Sequence, residues 1–98
     1  MKAVELVRER IAYAETAFAE VVVWILPSPL PGSTHRYKYR LAYVTGGQCV
    51  LRYDNESGKG DHRHVQGKEY KYLFRSIDRL VVDFHTDIQR LNHENSDT

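Results

Sequence analysis

The sequence predicts an α+β domain: a four- or five-stranded antiparallel meander with one C-terminal helix packed on it. Three observations carry this. Residues 35–44 (His-Arg-Tyr-Lys-Tyr-Arg-Leu-Ala-Tyr-Val) alternate with the period of a strand, and Gly46-Gly47 follows as a two-residue hairpin turn. Residues 17–26 are β-branched and aromatic and apolar on both faces, which marks a central strand. Ile77, Leu80, Val81, Phe84, Ile88 and Leu91 recur at spacings of three, one and four, the apolar stripe of an amphipathic helix.

In chain order, Val4 to Tyr13 is mixed apolar and charged and reads as a first strand. A turn at Ala14–Thr16 joins it to the second, although alanines at 12, 14 and 17 leave a helical start open. Pro27, Pro29, Pro31 and Gly32 forbid regular pairing and mark a long connection to the third strand. Gln48–Asp54 returns as the fourth, Asn55–Gly60 is a polar, glycine-rich loop, and Glu69–Phe74 reads as a short fifth strand. Ser76 is placed to cap the helix, with Asp78 in its first turn where the helix dipole favours an anion. The chain reads as one domain, 1–98, with its core in about 3–91 and a polar, frayed tail at 92–98.

With Gly46-Gly47 as a two-residue turn, Tyr43 opposes Val50 and the hairpin's faces follow. Tyr37, Tyr39, Leu41, Tyr43, Val50, Arg52 and Asp54 share one face. Arg40, Ala42, Val44, Cys49, Leu51 and Tyr53 share the other, which is expected under the helix. A one-residue bulge would swap the two.

Composition bounds the function. With 98 residues, 42% apolar and 28% charged, the chain is a globular domain and neither disordered nor collagen-like. A core this small leaves a narrow stability margin, so an oligomer such as a homodimer, or a partner protein, is a physical expectation. The single cysteine, Cys49, excludes an intrachain disulfide and suits a reducing cytoplasm. The longest apolar run, Val21–Leu26, is six residues, far short of a bilayer span, so no membrane role is expected. The net charge of +1 hides an asymmetry: residues 1–34 carry −1, residues 35–75 carry +5 and residues 76–98 carry −3. The basic middle block also holds six of the seven tyrosines and three of the five histidines. Cations interleaved with aromatics suit a polyanion with stackable bases. A solvated strand face with half-buried tyrosines gives the same composition.

The chemistry-bearing segment is Gly58-Lys59-Gly60-Asp61-His62-Arg63-His64. In an extended segment the two histidines lie on one side. An imidazole pair can act as general base and general acid, the combination that RNA cleavage without a metal requires. Lys59, Arg63 or Arg52 could stabilise the phosphorane, and Asp61 or Asp54 could orient a ring. The glycines around Lys59 would let backbone N–H groups reach phosphate. Arg36, Lys38, Arg40, Arg63 and His35 are the candidate RNA contacts, with Tyr37, Tyr39 and Tyr53 as stacking platforms. This chemistry calls for no cofactor. The rival chemistry is a metal ion on His62, His64 and Asp61, and a His-x-His in a charged loop is often only solvent-exposed. A binding module without catalysis, for RNA or for protein, is the remaining alternative. Arg52–Asp54 also reads as a plain surface ion pair, and His85 and His93 as ordinary surface residues.

The strings His35-Arg36-Tyr37-Lys38-Tyr39-Arg40-Leu41-Ala42-Tyr43, Arg52-Tyr53-Asp54-Asn55-Glu56 and Gly58–His64 resemble the TumE family of toxin–antitoxin proteins. The resemblance runs from about residue 4 to residue 91 and is most specific from Arg52 to His64. That family usually has Pro-Asp-Gly at its first turn, where this chain has Tyr13-Ala14-Glu15-Thr16. The resemblance implies a type II toxin acting on RNA, neutralised by a helix-turn-helix antitoxin encoded beside it.

Overall fold

Six strands, rather than four or five, form the sheet. In the computed structural model, which describes residues 2–96 and their side chains through residue 94, they are β1 (Val4–Ala14), β2 (Ala17–Ile25), β3 (Tyr37–Thr45), β4 (Gln48–Glu56), β5 (Gly60–Val65) and β6 (Lys68–Lys71). They run antiparallel in sequence order, each hydrogen-bonded to the next. The unanticipated strand is β5. Its inner positions are Asp61, Arg63 and Val65, so no apolar alternation announces it. The Gln66-Gly67 turn that joins it to β6 has φ of 48° and 84°, and Gly46-Gly47 has 55° and 80°. Positive φ at both positions matches the right-handed strand twist of a tight hairpin. The first hairpin also turns over two residues, Glu15-Thr16, between Ala14 and Ala17, but with positive φ at neither and without the family's usual turn sequence.

The hairpin register corrects the expected faces. Thr45 opposes Gln48 and Val44 opposes Cys49 as the turn predicts, but Tyr43 opposes Leu51 and Arg40 opposes Asp54. Val50 is the extra residue of a bulge, and one residue of slip moves every later side chain to the other face. Tyr39, Leu41, Tyr43, Leu51 and Tyr53 therefore share the inner face and are all buried. Asn55 continues that row and is buried as well. Its side chain takes over the β3 ladder, accepting from the Tyr39 N–H at 2.9 Å and donating to the Tyr37 carbonyl at 2.7 Å.

Helix α1 (Ile77–Ser96) covers that inner face. Ser76 caps it as expected: its Oγ accepts from the Arg79 N–H at 3.1 Å and its carbonyl from Leu80 at 3.0 Å, a cap worth ~1 kcal/mol. Leu80, Phe84, Ile88 and Leu91 are buried, each contributing about 1.5–3 kcal/mol by leaving water. Val81, expected in the stripe, is 42% exposed. Of the tail read as frayed, residues 92–96 continue the helix, while Asp97 and Thr98 lie outside the described residues.

The tyrosines are mostly spacers between sheet and helix. Tyr43 donates to Asn92 Oδ1 at 2.7 Å, Tyr53 to Asp87 and Tyr72 to Asp83, and Tyr13 Oη lies 3.1 Å from His85 Nδ1. A phenol is long enough to fill the gap and end in a polar group at the helix flank.

These contacts predict alkaline behaviour. The phenols of Tyr39, Tyr53 and Tyr72 are raised above their ordinary range, first by burial and then by the bonds they donate to Asp61, Asp87 and Asp83. A phenol raised on folding holds its proton more tightly in the native state. Its stabilisation is complete below the unfolded value of about 10 and is lost as pH climbs above it. The denaturant midpoint is expected to fall above that pH, with phenolate absorbance and loss of near-ultraviolet dichroism appearing together. Full tyrosine ionisation within an intact fold would contradict this.

Candidate functional site

The bulge at Val50 also decides which charged residues meet. It puts Arg52 and Asp54 on the sheet face that the helix leaves bare. Pairing of β4 with β5 sets Arg52 opposite His64 and Asp54 opposite His62, so both histidines join them. The two histidines lie on one side of β5, as their i, i+2 spacing predicts. His62 Nδ1 lies 3.9 Å and His64 Nε2 3.7 Å from the same oxygen, Glu69 Oε1, and His64 Nε2 lies 3.7 Å from Asp54 Oδ1. The His62 side chain is 14% exposed and that of His64 28%, partly desolvated yet reachable. Arg52 Nε sits 3.0 Å from Asp54 Oδ2 but forms no hydrogen bond, which leaves the contact electrostatic. Arg40 and Lys38 continue the basic row on β3, where the Lys38 ammonium bonds the Asn55 carbonyl.

The other expected members lie elsewhere. Asp61 points to the inner face, where its Oδ2 accepts from the Tyr39 hydroxyl at 2.6 Å and lies 2.9 Å from His35 Nε2. The Tyr37 N–H donates to His35 Nδ1 at 3.1 Å, which fixes Nε2 as the protonated nitrogen facing Asp61. His35 also stacks on Phe74 with centroids 4.0 Å apart. The set His62, His64 and Asp61 is thus split across the sheet, and no three His, Cys, Asp or Glu side chains among the described residues are grouped to hold a metal ion.

Arg63 is on the inner face too, with Nη1 2.9 Å from Asp87 Oδ2 and its guanidinium over the Tyr70 ring. Burial lowers its pKa, but the bonds to Tyr53 and Asp87 outweigh that and leave it raised. Lys59 sits in an exposed turn 3.6 Å from Glu56. The neighbouring N–H groups are engaged, Gly58 with the Pro31 carbonyl at 2.8 Å and Lys59 with Glu56 at 3.1 Å, so they are not free phosphate donors. Tyr39 and Tyr53 are each 1% exposed and offer no ring face to a base. Tyr37 is half-buried beside His35 and Phe74. Arg36 is exposed at the end of the proline-rich connection.

Two residues of the bare face escaped sequence reasoning. Glu69 approaches both histidines because the Gln66-Gly67 turn sets it opposite His64. Trp24, opposite Lys38, lies half-buried in a groove on the same face. The first follows from the register of a tight turn, the second from the β2–β3 register across the long proline-rich connection, which no turn fixes.

Fold and site together define a single-helix α+β protein whose uncovered sheet face carries cations around a pair of histidines. The chain belongs to the TumE toxin family: the family model described as Toxin TumE matches residues 3–92. It is thereby assigned to the toxins of toxin–antitoxin systems, and an antitoxin partner is implied. No curated protein and no solved structure matches the chain. No helix among the described residues is long and apolar enough to cross a membrane.

Proposed function

We propose that the chain is a type II toxin that cleaves RNA on the bare sheet face, using His62 and His64 as an acid–base pair, and that a helix-turn-helix antitoxin holds it in check. The observation that carries this reading is that both rings approach one Glu69 oxygen, at 3.9 and 3.7 Å, beside Arg52. One imidazole takes the 2′-hydroxyl proton as that oxygen attacks phosphorus, and the other protonates the departing 5′-oxygen. The products are a 2′,3′-cyclic phosphate and a 5′-hydroxyl end. Arg52 and Arg40 offset the charge that builds on the phosphorane, while Glu69 and Asp54 orient the rings. No resident metal enters this scheme.

The test is conditional expression of wild type and of the His62→Ala/His64→Ala variant, with purified protein assayed on RNA in EDTA. Wild type is expected to arrest growth and degrade RNA, the double variant to do neither, and cleavage to persist in EDTA. Growth arrest by the double variant, or cleavage that stops in EDTA and returns with Mn²⁺, would overturn it.

A further inference from the structure

Resting on that reading, we infer that the groove beside the histidine pair is a guanine-nucleotide subsite: Trp24 stacks the base, Lys38 and Arg40 hold a phosphate, and Glu56 reads the base edge. The groove has a volume of about 380 Å³ and is lined by Trp24, Lys38, Arg40, Arg52, Asp54 and Glu56. An indole lining a sheet groove beside lysine and arginine supplies what a nucleotide needs, a flat apolar platform for the base with cations for its phosphate. The subsite and the histidines lie in adjacent cross-strand rows on the bare face, two residues apart along β3. Trp24 opposes Lys38 across β2 and β3, Arg40 opposes Asp54 across β3 and β4, and Asp54 opposes His62 across β4 and β5. Three strand spacings and a two-residue step along the strand separate Trp24 from His62, roughly 16 Å, so a single strand of RNA crossing the sheet obliquely meets both.

The carboxylates give the base preference. Two acids in a groove for an anion are out of place unless each has a task. Asp54 is taken by Arg52 and His64. Among the described residues the Glu56 carboxylate has only an exposed contact to Lys59 at 3.6 Å, which is weak. A carboxylate accepts two N–H groups side by side. Among the four RNA bases only guanine presents two adjacent donors, N1–H and N2–H, on its pairing edge.

Trp24 is the chain's only tryptophan, so its fluorescence reports binding independently of cleavage. The His62→Ala/His64→Ala variant is titrated with 5′-GMP, AMP, CMP and UMP, and with guanosine. GMP is expected to quench Trp24 and to bind roughly tenfold more tightly than the other nucleotides, the discrimination of one good bidentate contact. Guanosine, lacking the phosphate, binds more weakly than GMP. Glu56→Gln, at an exposed position that does not disturb folding, removes the preference for guanine. Absence of quenching by every nucleotide, or an unchanged preference in Glu56→Gln, overturns the subsite. Cleavage of RNA without any nucleotide binding leaves the nuclease reading standing and the subsite refuted. Selective GMP binding by a wild-type protein that cuts no RNA supports the subsite and refutes the nuclease.

Discussion

His64→Ala is expected to lower the rate of RNA cleavage by roughly 10²- to 10⁴-fold, the usual size of one acid–base contribution. His62→Ala acts similarly, and the double variant is little slower than the slower single one, because two groups serving the same proton transfers do not contribute independently. Stability is expected to change by no more than ~0.5 kcal/mol, since neither ring is in the core and each faces carboxylates across water-accessible space. The opposite faces of the sheet sharpen the test. Arg52→Ala, beside the histidines, lowers cleavage at nearly constant stability. Arg63→Ala, which departs from the inner face and from Asp87, lowers stability instead. Initial rates on a single-stranded RNA, paired with urea unfolding of each variant, check all five. A wild-type rate for either single histidine variant removes that ring from the chemistry.

The wild-type rate is expected to pass through a maximum with pH, because one ring must start neutral and the other protonated. A monotonic profile would remove one of the two rings from the proton transfers.

How far the sequence revealed this site can be traced to single residues. The helix stripe was legible because Leu80, Phe84, Ile88 and Leu91 face one sheet and nothing else competes for them. The third and fourth strands were legible through alternation and the double glycine. Their mutual register was not, because a turn fixes pairing only until the first bulge, and Val50 follows the turn by three residues. A signal was present: Leu41 and Tyr43 can share a buried face with Leu51 and Tyr53 only if the register slips by one. Strand β5 escaped notice because its inward position 63 is an arginine, neutralised by an aspartate 24 residues away on the helix. Periodicity detects apolar faces and passes over an ion pair that does the same burying. The histidine pair was found through its spacing alone, which needs no tertiary knowledge. Asp61 was grouped with it wrongly, since neighbours in an extended strand point to opposite faces. The excess of tyrosine suggested base stacking, whereas most of those rings span the gap between sheet and helix.

Asp87 joins the two halves of the molecule, and its loss is expected to be the most damaging single change to stability. Its buried carboxylate accepts from the Tyr53 hydroxyl and from Arg63 at 2.9 Å, tying β4 and β5 to the helix at one point. Asp87→Ala would strand the Tyr53 hydroxyl in the core and leave the partly exposed Arg63 guanidinium without its partner. Each unsatisfied group costs about 1–3 kcal/mol, and solvent reaching Arg63 moderates its share, so a loss of ~2–4 kcal/mol is expected. For a domain of this size that corresponds to a fall of ~10–25 °C in melting temperature. Asp87→Asn keeps an acceptor for Tyr53 but drops the charge facing Arg63, and its loss should lie between wild type and alanine. Arg90→Ala, removing a mostly exposed contact at 3.4 Å, should stay within ~0.5 kcal/mol. Urea unfolding of the three variants orders them. A near-neutral Asp87→Ala would mean that apolar packing alone seats the helix. Because β5 carries Arg63 inward and the histidines outward, the same variant also tests how the faces are coupled. Well below its melting temperature Asp87→Ala should cleave RNA at close to the wild-type rate, since the outer residues keep their strand pairing. A large loss of activity in that folded state would show that the helix tether positions the histidines as well as stabilising the sheet.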